Sequence, residues 1–249
     1  MRRGVFGGIS TLPPDELKFC PVCQRTKMHR QPRRHKNDPI ERAKKRSTTP
    51  WERIHMDLAG PFHMNGVGGE THVLVVVEES TGLIMCYPLM SKSQAADKIT
   101  EYLSWIRSRG SGHDQYRVEA ARLDRGTEFT SSWFRKVMEV NGIQAEFSNV
   151  NHPSQNGRAE RAVRTIKEIS AVILDTAKLP VSWWPYAVTA AAQLHNITRR
   201  ARVNADGVEI GHSPSPHERL FGPLENKDYQ RLTEWGKPVW RWTRHHKTY

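Results

Sequence analysis

Residues 71–90 read THVLVVVEESTGLIMCYPLM, and the fold turns on them. The run Val73–Val77 is uninterrupted, β-branched and aliphatic, the composition of a strand rather than of a helix face. Ser80, Thr81 and Gly82 follow as a turn signal, and a second apolar run, Leu83–Met90, supplies the antiparallel partner. Cys86 falls inside that partner, where a small hydrophobe belongs. Upstream, WERIHMDLAG (51–60) alternates: Ile54, Met56 and Leu58 face one side, His55 and Asp57 the other. These three strands make an antiparallel meander. Downstream, Ala96, Ile99, Leu103 and Ile106 mark a helix over 93–109, and YRVEAARLD reads as a strand ending at Asp124. A helix over 131–140, a short strand at IQAEF, a long helix over 155–176 and a further helix entered through Pro180 complete the order βββαβαβαα. The expectation is an α/β fold, a mixed sheet with helices on its faces.

Composition narrows the function. A chain of 249 residues accommodates one ordinary domain with flanking segments, or two small ones. Lys and Arg number 38 against 26 Asp and Glu, a formal charge of +12, which draws polyanions; nucleic acid is the leading partner and an anionic membrane surface the other. No stretch approaches the roughly eighteen apolar residues of a spanning helix, and the N-terminus has no signal-peptide core, so a soluble protein with no membrane partner is expected. Three cysteines, two of them in CPVC, point to a reducing compartment. Residues 1–19 lack either period, and positions 27–46 carry nine Lys or Arg against two acids, the makeup of a solvated basic linker extending to residue 50.

Three acids form the candidate constellation. Asp57 nearly ends the first strand, Asp124 ends the fourth, and Glu160 sits in the first turns of the long helix, with 35 residues between the last two. If the first and fourth strands are neighbours, the aspartates come together and the helix adds a third carboxylate. Three such acids raise one another's pKa unless cations separate them. Hard oxygen donors suit Mg²⁺, and a pair of such ions about 3.5–4 Å apart can serve an in-line displacement at phosphorus. On the long helix Ala159, Ala162, Ile166, Ile169 and Ile173 form an apolar stripe, while Glu160, Arg164 and Lys167 share another face. Helix-surface ion pairs would account for that face alone, but not for the two aspartates.

With those residues in view, the sequence resembles the integrase core of copia-type LTR retrotransposons, within the retroviral integrase family. DLAGPF around Asp57, LDRGTEF around Asp124 and PSQNGRAERAVRTIK around Glu160 match its D, D-35-E pattern in order and context. LPVSWWPYAVTAAAQLHN and SPHERLFG match the segments after it, and QNG followed by AER favours copia-type over gypsy-type relatives. The resemblance spans residues 18–242 and implies an RNase H-like five-stranded mixed sheet. It further implies Mg²⁺ or Mn²⁺ held by Asp57, Asp124 and Glu160, and the joining of cDNA 3′-hydroxyl ends to target DNA. DNA contacts are implied at Arg164, Lys167, Asn156 and His152. Double-stranded DNA, a homo-oligomeric assembly and other products of one polyprotein are the implied partners. The implied location is the nucleus, after assembly in cytoplasmic virus-like particles. Pro153–Gly157 resembles the family's catalytic loop, where glycine gives the backbone its freedom.

The same resemblance divides the chain into a remnant of an HHCC zinc-binding domain over 1–26, the basic linker over 27–50, the catalytic core over 51–222 and the start of a post-core region over 223–249. Cys20 and Cys23 match the second half of the zinc motif, yet residues 1–19 contain no histidine. His29 and His35 lie too near the cysteines for the usual spacing, so Zn²⁺ is expected at well under one ion per chain. Arg125 stands where copia-type members often have asparagine, and RARVNADGVEIGH reads as an insertion lengthening the loop before SPHERLFG. A fragment of a polyprotein is the expectation. Two functions compete at this stage: an active polynucleotidyl transferase, and a catalytically incompetent nucleic-acid-binding remnant.

Overall fold

The computed structural model describes residues 47–109, 117–124, 126–148, 156–203 and 209–225. Cys20, Cys23, Arg125 and His152, the zinc-domain remnant, most of the basic linker and most of the post-core region lie outside the described residues. Five strands, β1 (Arg53–Ala59), β2 (His72–Glu78), β3 (Ile84–Leu89), β4 (Ala120–Leu123) and β5 (Gln144–Phe147), form one sheet in the order β3-β2-β1-β4-β5. The first three are the antiparallel meander read from the sequence, and β4 and β5 add in parallel to β1.

Helices α1 (Ala95–Arg109), α2 (Thr127–Thr130), α3 (Ser132–Val140), α4 (Gly157–Ala177) and α5 (Trp184–Ile197) cover the sheet. Strand alternation sorts the core into two layers. Ile54, Met56, Leu74 and Val76 pack with Ile99, Tyr102, Ile106 and Phe134 of α1 and α3. Val73, Val75, Val77, Ile84 and Cys86 pack on the other side with Ala162 and Ile166 of α4 and Ala187, Val188 and Ala191 of α5. Strand β2 is buried on both faces, which is why its sequence is an unbroken apolar run instead of an alternation. Each fully buried aliphatic or Phe side chain contributes about 1.5–3 kcal/mol of transfer free energy.

The entrance to β1 is unusual. Trp51 adopts φ +68°, a region that bulky residues avoid, while its side chain is wholly buried, edge-on to Tyr102 and Trp105. Its backbone N–H donates to Glu78 Oε1 at 3.2 Å. Glu78, itself 0% exposed, also accepts from the backbone N–H groups of Ser80 and Thr81 and from both their hydroxyls. One buried carboxylate thus organises the start of β1 and the β2–β3 turn together.

At the far edge of the sheet the buried Asn196, near the end of α5, accepts from Ile84 N–H at 2.8 Å and donates to Ile84 C=O at 2.7 Å. Beyond α5 the structure departs from the expectation of a lengthened loop. Residues Arg200–Val203 and Glu209–Ser213 pair as an antiparallel hairpin, β6 and β7, before the short helix α6 (Pro216–Phe221). The flanks of the NADG turn signal carried that pairing, which the insertion reading overlooked. Helix α6 opens with a capping box between Ser215 and Glu218, and Glu218 is also clasped by Arg199.

Candidate active site

Parallel pairing brings the two aspartates together. The β1–β4 ladder matches Arg53 with Ala120 and His55 with Arg122, so continuing it by two residues sets Asp57 opposite Asp124. Neighbouring strands lie about 4.8 Å apart, and in-register residues point to the same face. Asp57 Oδ1 accepts from Leu58 N–H at 2.9 Å, and Asp124 Oδ1 accepts from Gly126 N–H at 3.0 Å. Just past Asp57, Gly60 has φ +131°, and a Cβ there would stand 2.7 Å from Thr71 C=O, so glycine is required for the chain to leave β1.

The third acid arrives on α4, which packs across β1 and β2 with Glu160 in its first turn. Two tethers seat this end of the helix. Asn156 Nδ2 donates to Met56 C=O at 2.9 Å, beside Asp57, and Arg158 donates to Glu79 C=O and lies 3.9 Å from its carboxylate. Asn156, expected at the DNA, is 2% exposed and ties helix to strand. Arg164 and Lys167 are exposed on the Glu160 side of α4, as their spacing requires, and Lys167 Nζ sits 5.1 Å over the Phe62 ring.

Electrostatics show the neighbouring acids acting on Asp57. The Asp57 carboxyl is pushed up to about 6, first by burial and then by Asp124, with Glu160 and Glu128 adding and the Leu58 N–H opposing. Glu128, four residues after Asp124 in LDRGTEF, is a fourth carboxylate that the sequence reading missed. Its side chain is 5% exposed and pairs with Lys92 at 3.4 Å. As the side chains stand, no group of three or more His, Cys, Asp or Glu among the described residues is gathered closely enough to enclose an ion. The chemistry of the donor set, hard carboxylates from two neighbouring strand ends and the helix packed across them, fits a divalent cation.

Behind the acids lies a second charged layer. Glu79 takes Arg53 at 3.1 Å and His55 at 3.5 Å, and Glu146 takes Arg53 and Arg122. Burial pushes Glu79 up, but His55, Arg53 and Arg158 together hold it at about 2. Burial pushes His55 below its ordinary range.

A pH dependence follows. Because Asp57 holds its proton to about 6 in the fold against about 3.8 when exposed, the native state binds that proton more tightly. Its contribution to stability therefore falls as pH rises from about 4 to about 6. His55 acts in the opposite sense, losing stability as pH falls below its ordinary value. The difference between wild type and Asp57→Asn isolates the first effect: in urea melts without divalent metal, the variant gains stability relative to wild type across that window. A constant difference would place Asp57 outside the acidic field.

Sequence and structure comparisons agree with this architecture. Residues 47–153 match the family model described as integrase core domain. The chain carries an integrase core of the retrotransposon and retrovirus class. Within that class it is similar to copia-type elements: the Pol polyprotein of transposon RE2 of Arabidopsis thaliana is 28% identical over 93% of this chain and 14% of its own length. That of transposon TNT 1-94 of Nicotiana tabacum is 28% identical over 72% and 13%. The Pro-Pol polyprotein of feline foamy virus is 30% identical over 73% and 14%. The chain thus spans a small part of these relatives. A chain of the simian T-cell lymphotropic virus intasome, solved in complex with PP2A regulatory subunit B56 gamma, shares the fold with TM-score 0.53 at 15% identity, covering 89% of this chain and 66% of that one. The fold is thus the RNase H-like one.

Proposed function

We propose that this chain is the catalytic core of a metal-dependent polynucleotidyl transferase that joins the 3′-hydroxyl ends of element cDNA to target DNA. The observation that carries the reading is geometric: Asp57 and Asp124 lie in register at the ends of two neighbouring parallel strands, and the helix packed across the sheet carries Glu160 in its first turn. Asp57, Asp124 and Glu160 would hold Mg²⁺ or Mn²⁺. When bound, such ions activate the attacking oxygen and steady the leaving one. The chain's own residues do the rest. The Leu58 and Gly126 N–H groups each fix one oxygen of an aspartate, and Asn156 and Arg158 set the helix bearing Glu160. Arg164 and Lys167 offer phosphate contacts beside the acids. Duplex DNA is the partner, in a homo-oligomeric assembly with other polyprotein products, acting in the nucleus after packaging in cytoplasmic particles.

The test is strand transfer by the purified chain on an oligonucleotide matching its element's end, with Mg²⁺ or Mn²⁺. Metal-dependent joining establishes the activity; DNA binding with no joining under either metal would leave a nucleic-acid-binding remnant. The helix face makes a separate expectation. Arg164→Ala with Lys167→Ala should lower the slope of log affinity against log salt by about one to two units, equally on unrelated duplexes, since phosphate contacts carry no sequence information. An unchanged slope would make that face merely solvated.

A further inference from the structure

Helix α4 has a second basic flank that the acidic site does not use. At about 100° per residue, Lys167, Arg164, Arg161 and Arg158 step round the helix in increments of about 60°, from the Glu160 side over the exposed back. The band ends in a basin of about 660 Å³ enclosed by the first turns of α4, the β2–β3 turn, the end of α5 and α6. Arg158, Arg161 and Arg219 line this basin together with Ser80, Thr81 and Thr165.

The charges in the basin are not balanced. Its one lining carboxylate among the described residues, Glu79, is already engaged by Arg53, His55 and Arg158. Arg219 donates only to the Thr81 carbonyl at 3.3 Å, and neither it nor Arg161 makes an ion pair among the described residues. The acid beside Arg219, Glu218, is clasped by Arg199. Two guanidiniums without carboxylates, next to a third arginine, suit a tetrahedral oxyanion.

We propose that this basin is a phosphate-binding site that takes the backbone of a DNA strand beyond the reacting end, the basic back of α4 guiding the strand from the acids to the basin. The ligand's identity rests on the nucleic-acid reading above, while the site itself rests on the lining residues. Both arginines are exposed, so their replacement leaves the core untouched.

The experiment compares the full chain with Arg161→Ala plus Arg219→Ala, and with Arg161→Lys plus Arg219→Lys, in salt-dependent binding to a random-sequence duplex. Loss of one or two phosphate contacts lowers the log–log slope by about one to two units, and lysines restore it because a phosphate needs only the positive charge. An unchanged slope in the alanine variant overturns the proposal, as does a fall that lysine fails to restore. Inorganic tripolyphosphate is the second probe: if it raises the melting temperature of wild type but not of the alanine variant while the DNA slope stays unchanged, the basin holds small polyanions and the DNA proposal falls. Wild type that binds duplex with its full slope but joins no ends would sink the transferase reading alone and leave this site standing.

Discussion

Asp57→Asn, Asp124→Asn and Glu160→Gln should each reduce strand transfer by more than about a hundredfold while the chain stays folded, on the scale of losing a main electrostatic stabiliser. Each acid comes from a different element, so no neighbour can move into the vacated place. Glu128 is the nearest candidate for compensation, but its side chain is buried and paired with Lys92. The amides keep size and shape, so circular dichroism should be unaltered. Asp57→Asn should gain stability without metal, since it removes the charge that Asp124 and Glu160 oppose. A variant more stable than wild type and yet inactive would separate a site built for cations from one built for folding. Full activity in Glu160→Gln would remove that residue from the assignment.

Glu78→Ala should cost the fold about 3–5 kcal/mol, as read by urea denaturation. Truncation strips partners from three backbone N–H groups, those of Trp51, Ser80 and Thr81, and each buried donor left unsatisfied costs about 1–3 kcal/mol. Trp51 would also lose the hydrogen bond that holds its backbone at φ +68°. Glu78→Gln should cost less, because one oxygen still accepts although its amide nitrogen faces donors. A loss below about 1 kcal/mol for the alanine variant would mean that water reaches the turn and replaces the carboxylate.

The sheet was legible in the sequence where one physical signal dominated. Val73–Val77 read as a strand and the stripe from Ala159 to Ile173 as a helix packed on one face, and both lie in the core as such. Asp57, Asp124 and Glu160 were legible through their contexts, and the in-register pairing of β1 with β4 supplies the geometry that those contexts implied. What stayed hidden depends on pairings distant in the chain. Nothing local in the sequence ties Arg53 to Glu146, 93 residues away, or Asn156 to Met56, 100 residues away. The resemblance implied a DNA contact at Asn156, but nothing in the local sequence showed that its side chain is buried and bonded to β1. Glu128 was passed over because a glutamate in a short helix has the profile of a surface residue until tertiary packing encloses it.

Asn196 has a bearing on how copies of this chain can meet. An outermost strand normally presents a row of free N–H and C=O groups, an open template onto which a strand of another molecule can zip. By filling both outward-facing groups of Ile84, the Asn196 amide acts as a one-residue counterfeit strand. Growth of the sheet across β3 would have to evict it, leaving a buried amide without partners. At Ile84, the first residue of β3, that border is blocked to intermolecular β-pairing.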